Sequence, residues 1–347
     1  MKNYRLLYVS SDGKELSFRW GYIYYGNEKI LCLLESWLKR ILSRVRFFNR
    51  LFRLEPRCAT FVNEDVALVA FNHYVFVVSI KDKLELARFR VKKNILSFCS
   101  LKKYESEEVY WGDYGDETND GKININRFSI SNGFQRCYSF KKGDIKHIHN
   151  IIYDKYNDRF YILTGDFEEK IGIYIASRDF SAVTPLAIGE QKYRAVIGLP
   201  LPNGFLYATD AVMEENYIYY YSTDNKQLEK IESINGSVIY GVAVNDGLLL
   251  STTVEPYPSS RSRMKSMLDT RLGLGIKSKD VHVLFISKEL LVSKIASYRK
   301  DCHFMKLMQY GQVFFPEYED TSVNVVKANP MAVKRYDGKL VEFVLPS

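Results

Sequence analysis

The feature that most constrains this chain is a hairpin that recurs along it. Each copy has an apolar run rich in aromatic and β-branched residues, a serine, a short polar turn and a second apolar run. The copies are YVSSDGKELSF around Ser10, FVVSIKDKLELARF around Ser79, FSISNGFQRCYSF around Ser129, YIASRDFSAVTPL around Ser177, YYYSTDNKQLEKI around Ser222 and LFISKELLVSKI around Ser287. A last copy, VKRYDGKLVEF around Arg335, lacks the serine. The spacings are 69, 50, 48, 45, 65 and 48 residues. A period in the mid-forties, filled by about four short strands, is that of a β-propeller blade. One hairpin cannot bury its own faces, so radial stacking must supply the core. The expectation is an all-β, single-domain β-propeller over residues 1–347. Six full blades are expected, with seven as the alternative, because little sequence precedes the first hairpin.

The two long spacings hold two basic insertions. Residues 34–57 carry seven basic and two acidic side chains, and residues 259–279 carry six and one. With a net charge of +8 overall, the rest of the chain is left at −2. Charge confined to two segments argues against a whole-surface nucleic-acid binder and for local contact with an anionic partner. In the first insertion Leu34, Trp37, Leu38, Ile41, Leu42, Val45, Phe48 and Phe52 form a helical stripe, with Lys39, Arg40, Arg44, Arg46, Arg50 and Arg53 on the remainder. Pro56 ends it. A basic amphipathic helix of this kind either packs its apolar face on the propeller or lies on an anionic membrane surface. The second insertion, residues 257–279, is rich in Ser, Gly and Lys/Arg and reads as a mobile loop.

No apolar stretch approaches spanning length, and MKNYRLLYVSSDGKE has no signal-type apolar core. The five scattered cysteines lack metal-type spacing and read as reduced thiols. The expected location is cytoplasmic, peripheral at the inner membrane if the basic helix docks there.

The turns Ser10–Asp12, Ser177–Asp179 and Ser222–Asp224 resemble the Asp-box hairpin of sialidase-like (BNR-repeat) β-propellers, with Lys81, Ser131 and Glu289 replacing the aspartate in three other copies. A more particular resemblance is to bacterial propeller proteins associated with capsule and exopolysaccharide gene clusters. It is carried in order by Trp111-Gly112-Asp113-Tyr114, His147-Ile148-His149, Thr164-Gly165-Asp166, Gly189-Glu190-Gln191-Lys192-Tyr193-Arg194, Ala208-Thr209-Asp210 and Thr253-Val254-Glu255-Pro256. The resemblance implies a carbohydrate-active protein of surface-polysaccharide biosynthesis or modification, whose partner is a sugar or polysaccharide precursor. A non-catalytic glycan-binding or scaffold propeller is the alternative.

Propellers place ligands where turns from successive blades converge at one end of the channel. The six motifs recur at blade spacing, so each can contribute one turn to such a site. Alternation along a strand puts His147 and His149 on one face. With Asp166 or Glu255 they could hold a divalent metal; alternatively one acts as acid/base, or the pair lines the channel through mutual hydrogen bonding. Asp113, Asp166, Asp210 and Glu255 could include the two carboxyls of a glycosidase. Tyr114, beside Asp113, resembles the tyrosine nucleophile of sialidases, which also clamp their sugar with three arginines; only Arg194 is a candidate here. Gln191 and Arg194, with Asp210 and Glu214, would bind an anionic or phosphate-linked sugar.

Overall fold

The computed structural model describes residues 4–91, 95–115, 121–165, 171–258 and 263–346. Their strands form seven sheets arranged as the blades of a β-propeller. Blades 2 to 6 are four-stranded antiparallel meanders that follow one another along the chain, beginning with Cys58–Phe61, Cys99–Ser100, Ile148–Asp154, Ala195–Leu201 and Val238–Val244. These first strands face the axis. Blade 7 is built on Gln312–Phe314, Val325–Met331 and Val341–Val344.

The difference between six blades and seven is made in blade 1. Its strands Tyr4–Val9, Glu15–Arg19, Tyr22–Tyr25 and Glu28–Cys32 mostly follow the Ser10 hairpin, whereas the other hairpins come late in their blades. Counting sequence before each hairpin therefore undercounts this sheet. Its inner edge is completed from the far end of the chain, where Glu317–Tyr318 pairs in parallel with Tyr8–Val9. Asn329 of blade 7 reinforces the closure: its side chain accepts from Leu6 N at 2.8 Å and donates to the Tyr4 carbonyl at 2.9 Å.

The core lies between blades. Second strands such as Val66–Phe71 are buried on both faces, whereas the outer strand Leu84–Arg90 alternates between half-buried and exposed. Aromatic rings bridge adjacent blades, as in Tyr8–Phe61 at 4.8 Å, Tyr110–Phe160 at 4.9 Å and Tyr161–Phe205 at 4.3 Å between centroids. The repeated serines staple turns: Ser10 and Ser177 donate to Asp12 and Asp179 at 2.5 and 2.7 Å. All five cysteines are free.

The insertions depart from expectation. In place of one continuous helix over 34–57 there are two short ones, α1 (Trp37–Arg44) and α2 (Arg46–Leu51), broken where Val45 adopts an extended conformation. The described part of the second insertion is held rather than mobile. It forms α3 (Arg263–Met267) and returns along blade 5, with Gly273 N and Gly275 N bonded to the Glu255 and Val212 carbonyls at 3.0 Å. Both glycines are required there, because a Cβ on Gly275 would sit 1.9 Å from the Glu214 carbonyl oxygen and one on Gly273 2.4 Å from that of Val212. No helix among the described residues is long and apolar enough to cross a membrane.

Candidate functional site

The first strand of each blade runs along the central channel, so the residues just before these strands, and those after the second strands, meet at one end. His149, Arg194 and Arg57 precede or begin first strands; Tyr114, Asp210 and Glu255 follow second strands. They line one cavity of about 300 Å3 at the channel mouth. A second cavity of about 230 Å3 continues along the axis; both cavities are lined by Leu96, Val196, Ile239 and Tyr240.

The mouth is built around arginine. Arg5, Arg53, Arg57 and Arg194 line it, against the carboxyls of Glu55, Asp210 and Glu255. Arg194 Nη2 and Asp210 Oδ2 stand 3.2 Å apart with both side chains nearly buried, and Asp210 N also bonds the Arg194 carbonyl at 2.9 Å. Glu55 is engaged from outside the cavity by Arg46 at 2.7 Å, and Arg5 lies 3.9 Å from its other oxygen. The Arg5 guanidinium also lies 3.5 Å over the Phe314 ring. Arg5 Nε, Arg57 Nε and Gln312 Oε1 are buried and have no hydrogen-bond partner among the described residues.

Glu255 is the most strongly perturbed carboxyl lining the mouth. Burial and then the neighbouring Asp210 charge push its carboxyl up to about 8, against the opposing Ser237 hydrogen bond and Arg194 charge. It accepts a hydrogen bond from Ser237 Oγ, and burial beside Asp210 favours its protonated form. The residue keeps some contact with the channel, but its carboxyl lies deep enough for burial to dominate. A protonated Glu255 beside the ion-paired Asp210 gives two carboxyls with separate roles.

The two histidines meet as alternation requires. Their Nε2 atoms are 3.0 Å apart, and His149 Nδ1 is 2.8 Å from the Ala195 carbonyl. A carbonyl only accepts, so His149 Nδ1 carries a proton. Burial, then the neighbouring His147 and Arg194, hold the His149 imidazole well below its ordinary value and therefore neutral. Its Nε2 is then the acceptor, and His147 Nε2 donates. Gly165 makes room for the ring: a Cβ there would lie 1.9 Å from His149 Nε2. Tyr114 packs on His147 at 4.7 Å between centroids, with the Arg57 guanidinium 5.6 Å from its ring centroid.

Several expected members fall elsewhere. Asp113 is turned back into blade 3, accepting from Asn124 N, Asn124 Nδ2 and Asn126 Nδ2 at 3.1, 2.7 and 2.9 Å, so it is a structural acceptor rather than a base for Tyr114. Gln191 and Glu214 line a separate depression on the side of blade 5. Their motifs arrive at the right end of the ring, but the side chains point outward. Asp166 lies outside the described residues. Among the described residues no group of three or more His, Cys, Asp or Glu side chains could hold a metal ion. The two histidines turn their Nε2 atoms toward each other at 3.0 Å, and the third expected ligand, Asp166, is not among the described residues.

Arg5, Arg53, Arg57, Gln312 and Tyr310 are mouth residues that motif reasoning missed. Arg53 and Arg57 were hidden within a basic segment that reads as a surface helix. Arg5, in an otherwise apolar strand start, was the available signal: a charge inside Tyr-Arg-Leu-Leu needs a buried partner.

These features define a β-propeller with an arginine-lined channel mouth. No family model matches the chain, and no curated protein matches it. Among solved structures it is similar in fold to an oligogalacturonate lyase in complex with manganese, at 8% identity and a TM-score of 0.51, over 82% of this chain and 75% of that one. The β-propeller domain of Cps50 (Swd1) from Myceliophteria thermophila matches at 10% identity and a TM-score of 0.48, over 84% and 87%. U3-55K matches at 10% and 0.46, over 84% and 95%. At 8% identity the similarity to the lyase speaks to the fold alone.

Proposed function

We propose that the channel mouth binds an anionic or phosphate-linked sugar, and that Glu255 acts on it as a proton donor. The observation that carries this reading is the surplus of guanidinium over ionised carboxylate. Four arginines line the cavity against Asp210, Glu55, which is shared with Arg46, and Glu255, whose protonated form burial favours. Buried donors on Arg5 and Arg57 await acceptors, and a carboxylate or phosphate supplies them in the planar geometry that guanidinium favours. Tyr114 and Tyr310 offer ring faces for a sugar. Asp210 fixes Arg194 and, through its charge, keeps Glu255 protonated. Neutral His149, tied to the Ala195 carbonyl, orients the wall rather than donating a proton.

A place in bacterial surface-polysaccharide biosynthesis rests on the six sequence motifs and is part of this proposal only. A scaffold role is the competing reading, favoured by the internal neutralisation of Arg194 by Asp210.

Calorimetric titration with glucose 1-phosphate, galacturonate and neutral glucose tests the reading. The two anions are expected to bind and glucose to be much weaker, with anion binding lost in Arg194→Met. Equal affinity for all three, or none, refutes it. Glu255→Gln should retain binding; turnover of a bound sugar that survives this change would remove Glu255 from the chemistry.

A further inference from the structure

The helical pair α1 and α2 is mounted inside out. Its polar positions Ser43, Asn49 and Arg50 are buried, whereas Trp37, Leu38, Ile41, Val45, Phe48 and Phe52 are exposed. Trp37 is 66% exposed and Phe52 54%. Ion pairs hold the pair this way round. Arg46 meets Glu55 at 2.7 Å and Asp337 at 2.9 Å; Arg50 meets Asp337 at 3.1 Å, pairs with Asp301 and donates to the Met308 carbonyl. An amphipathic helix left to the hydrophobic effect alone would turn its stripe inward. Here buried arginines hold six residues of the stripe outward, while Leu34 and Leu42 pack inward.

The aromatic part of this face forms one run. Phe47, Phe48 and Phe52 contact in sequence, at 5.4 and 6.3 Å between centroids, and Phe47 reaches His303 at 6.0 Å. The helical turn Met305–Met308 packs against both α2 and α3, where Met264 is 75% exposed. Basic residues fringe this surface: Lys39, Arg44, Arg53 and Lys265 are exposed. The acids of the same segments are mostly withdrawn, Glu55 to Arg46 and Asp269 to Arg271, leaving Glu35. Exposed Trp and Phe with a cationic fringe match the interfacial layer of an anionic bilayer, where rings enter the headgroup boundary and Lys/Arg meet lipid phosphates.

We propose that this face docks the propeller on an anionic membrane surface. The chain runs from α2 through Phe52 into Arg53 and Arg57, and from Met308 into Gln309 and Tyr310, all at the channel mouth. Docking therefore brings the mouth to the headgroup layer. The docking itself does not depend on the anionic-sugar reading.

Sedimentation with vesicles of phosphatidylglycerol and phosphatidylcholine, against pure phosphatidylcholine, tests it. The wild type is expected to pellet with the anionic vesicles, less so at high salt. Trp37→Ser/Phe48→Ser/Phe52→Ser should remain in the supernatant with an unchanged circular dichroism spectrum. Should that variant misfold, Lys39→Glu/Arg44→Glu, at exposed positions, should lower the bound fraction on anionic vesicles. Arg194→Met/Asp210→Asn, altered only at the mouth and without an unpaired buried charge, should pellet like the wild type. Wild type in the supernatant with both vesicles overturns the proposal. So does a wild-type dimer that becomes monomeric in the triple serine variant, since a second copy would then cover the face.

Discussion

The Nε2 atoms of His147 and His149 face each other at 3.0 Å, and the remaining nitrogen of His149 is committed to the Ala195 carbonyl. This places the His149 proton on Nδ1 and makes His147 Nε2 the donor between the rings. His149 is expected to stay neutral in NMR titration to well below its ordinary value, carrying its proton on Nδ1. A midpoint near 6.5 would contradict the assignment. Because the folded state binds fewer protons at His149 than the unfolded state does, stability from this group is present above about 6.5 and declines as pH falls through the folded-state value.

Gly165→Ala tests how tightly the pair is held. The added methyl would occupy the position of the His149 ring edge, so one strand or the ring must move. The expected cost is about 1–3 kcal/mol in denaturant unfolding, typical of overpacking. The His149 NMR signal should shift with it. A neutral result would mean that the ring has an alternative place.

Glu255 titrates in the opposite sense. Its folded-state value of about 8 lies above the ordinary carboxyl value, so the folded protein binds the extra proton between about 4.5 and 8. Stability should fall as pH rises through that window, by at most about 1.4 kcal/mol per pH unit for one group. Glu317, in the other half of the channel and pushed up to about 7 by burial, adds the same tilt over a narrower range. Glu255→Gln should flatten the upper part of the profile, between about 7 and 8, measured by urea unfolding. An unchanged slope there would mean that Glu255 is ionised at neutral pH.

Arg194 and Asp210 are expected to behave as a unit. Arg194→Met leaves a nearly buried carboxylate without its guanidinium and should cost about 3–5 kcal/mol. The double variant Arg194→Met/Asp210→Asn should recover much of that loss. Asp210→Asn alone should lower the Glu255 titration, since the Asp210 charge helps to raise it. Additive costs in the double-mutant cycle would dissolve the pair as an energetic unit.

The serine-centred hairpins made the propeller legible, because a strand pair with two apolar faces forces stacking on neighbours at that period. They hid the seventh blade. Blade 1 draws an edge strand from residues more than 300 positions away, and a pairing that joins Tyr8 to Glu317 leaves no local mark. Alternation correctly brought His147 to His149, a short-range relationship set by the strand itself. The same reasoning placed Gln191, Glu214 and Asp113 at the ends of the right strands but could not say where their side chains point. Asp113 turned to two asparagines across its own sheet, and the other two to the flank of blade 5.

Residues 34–57 mark the division most clearly. Their sequence determined an amphipathic, basic, helix-forming segment, because periodicity and charge are properties of the chain. Which face turned inward was decided by Asp301 and Asp337, which reach Arg46 and Arg50 only after the ring has closed. Buried ion pairs formed across hundreds of residues outweighed the local apolar pattern. The arginine cluster at the mouth likewise exists only because closure brings Arg5, Arg57 and Arg194 from three different blades to one end of the channel.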